Sequence, residues 1–166
     1  MASRCPTSAY HSLGVLHKYT WVIGPRGYAN VLISPSNASS EAQDSEANKV
    51  YGLLYTLEPD DEALLDRAEG VPRSYTKHLL DIEIVSGVRT EKEVVKALVY
   101  VDLIRTGTGV CKEEYVGRMN RGIRDAVEKG MPRAYVESVL RRWVRDEDVG
   151  DEVGDPFHPL QEVIPE

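Results

Sequence analysis

The sequence has 166 residues, of which 42% are hydrophobic and 28% charged, which suits one folded domain and excludes wholesale disorder. No apolar run reaches the roughly 20 residues of a membrane-spanning helix, and two cysteines, Cys5 and Cys111, are too few for a disulfide framework. The net charge of −7 argues against a nucleic-acid partner held through its phosphates.

The first residues, Met-Ala-Ser-Arg-Cys-Pro, lack the apolar stretch of a secretory signal, so a cytoplasmic location is the expectation. Residues 19–23 are aromatic and β-branched and read as a strand; 29–34 read as a second, with Gly24-Pro25 and Gly27 making the turn of a hairpin. Residues 35–48 are small, polar and aperiodic, and read as a loop. Asn37-Ala38-Ser39 inside it matches a glycosylation sequon, but without a secretory signal it reads as a chance match.

Residues 49–57 give the strongest strand signal in the chain. Pro59 opens a short helix to about residue 68, with acids in its first turn, a stripe of Leu64, Leu65 and Ala68, and Gly70 as its stop. Residues 78–85 alternate, placing Leu80, Ile82 and Ile84 on one face and Asp81 and Glu83 on the other. Residues 94–103 are apolar at nearly every position, as in a strand covered on both faces. Two helices are predicted after them, over 112–129 and 132–144, separated by Gly130 and Pro132. The order of elements points to an α+β fold, a small mixed or antiparallel sheet curling toward a barrel with flanking helices.

Charge divides the chain. Residues 146–166 hold eight acids and no Lys or Arg, leaving 19 acids and 20 bases in the first 145. The expected organisation is a domain over 1–145 and an acidic tail over 146–166.

Most candidate chemistry is weak. His11, His17, His78 and His158 show no metal-ligand spacing. Ser74 and His78 lie four apart but have no third member. The glycine-rich run from Arg105 to Lys112 lacks phosphate-loop spacing and reads as a strand-to-helix connection. Cys111, beside Lys112 at a helix start, reads as an ordinary thiol. Glu69 is different. It stands at the end of the short helix, near the negative pole of the dipole, which disfavours its charged form and pushes its pKa toward the range of a general base or acid.

The run Leu65-Asp66-Arg67-Ala68-Glu69-Gly70-Val71-Pro72-x-x-Tyr75, after Val50-Tyr51-Gly52-Leu53-Leu54-Tyr55-Thr56-Leu57, resembles the gamma-glutamylcyclotransferase-like proteins. Gly27-Tyr28-Ala29-Asn30-Val31 is similar to their second hairpin strand, and Glu114-Tyr115 with Gly130-Met131-Pro132-x-x-Tyr135 to their C-terminal end. The resemblance spans roughly residues 4–145. It implies a small mixed barrel with flanking helices. It also implies an enzyme that releases 5-oxoproline from a gamma-glutamyl compound, with no metal or organic cofactor. By position, Glu69 matches the family's proton-transferring glutamate, and Tyr75 and Tyr115 match tyrosines that line the substrate pocket.

The family's opening strand and Tyr-Gly-Ser-Asn loop, whose backbone N–H groups hold the substrate carboxylate, have no counterpart here. This predicts an N-terminally shortened domain with an open sheet edge, a candidate surface for a homodimer. Three functions follow: a gamma-glutamylcyclotransferase-like enzyme on a small-molecule substrate; a cyclase, isomerase or lyase of a specialised biosynthetic pathway using the same glutamate; or a non-catalytic binding or assembly module. Neither nucleic acid nor a membrane is an expected partner.

Overall fold

The computed structural model describes residues 5–35, 45–85 and 92–147. The sequon at Asn37 and all of the acidic tail after Glu147 lie outside these residues. The strands are β1 (Ala9–His17), β2 (Tyr19–Ile23), β3 (Ala29–Ile33), β4 (Lys49–Thr56), β5 (Thr76–Ile84) and β6 (Val94–Val101). The helices are α1 (Pro59–Ala68), α2 (Glu113–Glu128) and α3 (Arg133–Ser138), with single 3-10 turns at Glu46–Asn48 and Leu140–Arg142. The fold is α+β, as the sequence predicts. The described strands form an antiparallel sheet in the order β4-β1-β5-β6 and a separate β2-β3 hairpin, with no closed barrel among them.

β1 is the element that sequence patterning missed. Its first half is exposed and polar, and its centre carries Gly14, so no alternation announces a strand. Yet it is central. It pairs with β4 along its whole length, through an irregularity between Tyr10 and Ser12, and with β5 at Gly14 and Val15. Neighbours on both edges bury Leu13, Gly14, Val15 and Leu16 in succession.

Smaller departures have local causes. In α1 the buried positions are Asp61 and Leu65, one turn apart, whereas Leu64 faces solvent. The Asp61 carboxylate is kept inside by Thr7, whose N–H and hydroxyl both donate to Oδ2 at 3.2 and 2.7 Å. β6 is not covered on both faces: Val94 is exposed, and Leu103 and Ile104 beyond its end are exposed too. The last predicted helix breaks at Val139 into α3 and a 3-10 turn.

α2 shows how the core is closed. Val116, Ile123 and Ala126 recur on one face and join the sheet's Leu13, Ile82 and Val101 in a single apolar cluster. Burying each branched side chain there contributes about 1.5–3 kcal/mol. Asn120 sits in the same stripe and is satisfied there: its amide donates to the carbonyls of Arg145 and Glu147 and accepts from Arg141 Nη1. Among the described residues no helix is long and apolar enough to cross a membrane.

Candidate active site

Glu69 is placed by the end of α1. Val71 N–H donates to the Asp66 carbonyl and Gly70 N–H to that of Arg67, the paired bonds of a Schellman stop. Gly70 takes the left-handed conformation this requires, with φ of +65°, and a Cβ there would meet Ser74 Oγ at 2.9 Å. The Gly70 carbonyl then accepts from both Arg73 and Ser74 N–H, curling the chain through the cis Val71–Pro72 bond toward Tyr75.

Tyr75 is pinned to the hairpin by its hydroxyl, which donates to the Ala29 carbonyl at 2.9 Å. The Arg26 guanidinium lies 5.0 Å from its ring centre. Burial pushes the Tyr75 phenol up, against the opposing pull of Arg26 and with a further rise from Glu69. Tyr115 enters from the first turn of α2. Its ring meets Tyr28 edge-on at 5.2 Å, and the Arg118 guanidinium lies 5.0 Å from its centre. Burial, followed by the electrostatic effect of Tyr75, pushes the Tyr115 phenol up to about 12, so it is neutral at physiological pH.

These groups share one cavity of about 420 Å³, large enough for a small metabolite. Its walls include Arg26, Tyr28, Glu69, Ser74, Tyr75, Tyr100, Tyr115 and Arg118. The three residues singled out in the sequence therefore converge from three separate elements. Patterning missed Arg26, Tyr28, Tyr100 and Arg118. For Arg118 a signal existed, since it lies one helical turn from Tyr115 on the same face. Arg26 had none beyond being a charged residue in a Gly-Pro-Arg-Gly turn.

Asp102 ties together the elements that carry the site. Asn30 and Asp102 exchange two hydrogen bonds, side chain to backbone, at 2.9 and 3.0 Å, joining β3 to the end of β6. The Asp102 carboxylate accepts from the N–H groups of Ile104 and Arg105 and from Arg105 Nε at 2.8 Å. Arg105 passes on to the carbonyl of Ser74, holding the loop between Glu69 and Tyr75. Tyr100 donates to Asp66, which also accepts from Lys77, so that carboxylate is held below its usual range by Lys77 first and by Tyr100 as well.

The other candidates disperse. His78 bonds Thr76 at 2.8 Å and lies outside the cavity that Ser74 lines. Cys111 is buried, which pushes its thiol up rather than activating it. Among the described residues no group of His, Cys, Asp and Glu could hold a metal ion. The run from Arg105 to Lys112 packs on the hairpin turn, with Gly109 N–H donating to the Ile23 carbonyl.

Residues 49–139, more than half of the sequence, match the AIG2-like family. The chain belongs to that family. Among curated proteins none matches this AIG2-like chain. Two solved structures share its fold. An uncharacterized protein from Homo sapiens is 18% identical with a TM-score of 0.67, covering 95% of this chain and 89% of that one. A gamma-glutamyl cyclotransferase is 18% identical with a TM-score of 0.64, covering 94% and 88%. The resemblance read from residues 50–75 thus agrees with both the family and the fold.

Proposed function

We propose that this protein is a cyclotransferase-type enzyme that closes a gamma-glutamyl compound on itself and releases 5-oxoproline, with Glu69 as the proton-transferring group. The observation that carries this reading is the position of Glu69 on the wall of the 420 Å³ cavity, with Tyr75 and Tyr115 on the same wall. Glu69 takes a proton from the substrate's α-ammonium. The freed amine attacks the γ-carbonyl carbon, forming the ring N–C bond. As the tetrahedral centre collapses, Glu69 returns its proton to the leaving amine, the bond to that amine breaks, and the ring nitrogen gives its second proton to the carboxylate so freed, from which it passes to the departing amine or to solvent. Nucleophile and carbonyl belong to one molecule, so holding the chain folded supplies much of the rate.

The tyrosines have distinct parts. The Tyr75 hydroxyl proton is spent on Ala29, so Tyr75 offers its ring and its hydroxyl oxygen. Tyr115, neutral at physiological pH, offers a ring and a hydroxyl without adding a second anion beside Glu69. A cavity with two arginines on its wall suits an amino-acid-derived substrate better than the apolar substrate of a cyclase or lyase from specialised biosynthesis. A cavity with a carboxylate and two guanidinium groups on its wall also weighs against a purely structural module.

The test is release of 5-oxoproline from a panel of gamma-glutamyl amines and peptides. Glu69→Gln keeps the side-chain shape and removes the basic carboxylate. It is expected to lower kcat by at least about 10²-fold with unchanged folding. Equal rates for the two proteins would end this reading.

A further inference from the structure

We propose that Arg26, at the tip of the β2-β3 hairpin, is the anchor for the substrate's α-carboxylate. The inference rests on the proposed gamma-glutamyl reading and adds a specificity-determining residue to it. The family resemblance supplies no cation at this position; the argument comes from the charges around the cavity.

Arg26 is paired only loosely within the fold. Its Nη2 atom is buried and makes no hydrogen bond, and it stands 3.4 Å from Asp102 Oδ2. That oxygen is already taken by Arg105 Nε at 2.8 Å, and its partner oxygen by two backbone N–H groups. Two guanidinium groups thus share one carboxylate, leaving a surplus positive charge, and of the two arginines Arg26 is the one on the cavity wall. A guanidinium fork matches a carboxylate through two parallel N–H···O bonds.

Position agrees with charge. Arg26 and Glu69 act on the Tyr75 phenol with opposite sign, and all three line the same cavity. An amino acid carries its amine and carboxylate on one carbon, so the groups that receive them must share one neighbourhood. Glu69 on the wall of the cavity and Arg26 over the Tyr75 ring on the same wall meet that requirement. A cation there also offsets the repulsion between ionised Glu69 and an incoming carboxylate.

The backbone holds Arg26 ready. Gly24 N–H bonds the Tyr28 carbonyl, Gly27 N–H bonds that of Gly24, and Lys112 N–H bonds that of Gly27. The turn is therefore closed on itself and tied to the start of α2 before any ligand arrives, which cuts the ordering cost of binding.

The experiment compares 5-oxoproline with its primary carboxamide, which has the same ring without the charge, by calorimetric titration of the full chain. The wild type is expected to bind the acid at least about tenfold more tightly than the amide. Arg26→Gln should lose that preference through the acid alone, and Arg26→Lys should restore only part of it. A wild type that does not distinguish acid from amide overturns the anchor, and this comparison needs no variant to fold. So does Arg26→Gln binding the acid as the wild type does. Glu69→Gln turnover is read separately. Lost turnover with no acid preference removes Arg26 alone, whereas an acid preference with unchanged turnover removes the Glu69 role alone.

Discussion

Asp102 lies at 4% exposure at the end of β6, and its burial is tolerated only because donors converge on it. Burial by itself would raise this carboxyl. The N–H groups of Arg105 and Ile104 and the Arg105 guanidinium outweigh it and hold the group below the usual carboxylate range. A depressed folded-state pKa means that the unfolded chain binds the proton first as pH falls. The stabilisation is therefore full above the unfolded Asp value of about 3.9 and is lost on acidifying below it. Asp102→Asn is expected to cost about 3 kcal/mol at pH 7, because it leaves Arg105 and Arg26 without their shared anion. Urea midpoints at pH 7, 5 and 3 check this: the gap between wild type and variant should hold from pH 7 to 5 and narrow by pH 3. A gap that is constant across all three would contradict the charged role of Asp102.

Between elements, the connection from β6 to α2 sets the position of the site, and Gly109 sets the position of that connection. A Cβ at Gly109 would meet the Gly24 carbonyl oxygen at 2.5 Å and the Pro25 Cα at 3.0 Å, both backbone atoms that cannot swing aside. Gly109→Ala is therefore expected to push the loop off the hairpin turn and cost about 2 kcal/mol, roughly 4–8 °C in Tm. Gly122→Ala, on an exposed stretch of α2 where a Cβ meets nothing within 4 Å, should instead stabilise by about 0.5–1 kcal/mol. Thermal melts of the pair separate close approach from helix propensity. The same contrast explains what could be read from the sequence. β4, α1 and α2 were legible because their signals are local: a β-branched and aromatic run, a proline start with acids after it, and a helical apolar stripe. Glu69 was legible for the same reason, since the helix stop that positions it is written in Glu69-Gly70-Val71 itself. β1 was not, because its burial comes from neighbours on both edges rather than from its own alternation. Asp61 in place of Leu64 was not, because its partner Thr7 is 54 residues away. Arg26 was hidden in the same way: what gives it meaning is Tyr75, Asp102 and the cavity, all brought to it by the fold.

For the molecule as a whole, the expected division at residue 145 can be tested by where the chain is cut. Val144 is fully buried, and the next residues still work for the core: the carbonyls of Arg145 and Glu147 both accept from the buried Asn120 amide. The ion pairs of Arg145 with Glu113 and Glu147 and of Arg141 with Asp146 lie at the surface and add little by comparison. We propose that the folded domain includes Arg145 to Glu147, and two shortened chains set this against the expected tail over 146–166. Residues 148–166 hold six acids and no Lys or Arg, so removing them takes the net charge from −7 to −1. A chain ending at Glu147 is expected to keep its urea midpoint, while losing solubility as its net charge approaches zero. A chain ending at Trp143 loses a buried valine, about 1.5–3 kcal/mol, and leaves the Asn120 amide without two acceptors, a further 1–3 kcal/mol or so. Its midpoint should fall by the equivalent of at least about 3 kcal/mol. Equal midpoints for the two shortened chains would show that Asn120 and Val144 do not close the core. A large loss in the longer one would show that the domain extends into residues 148–166.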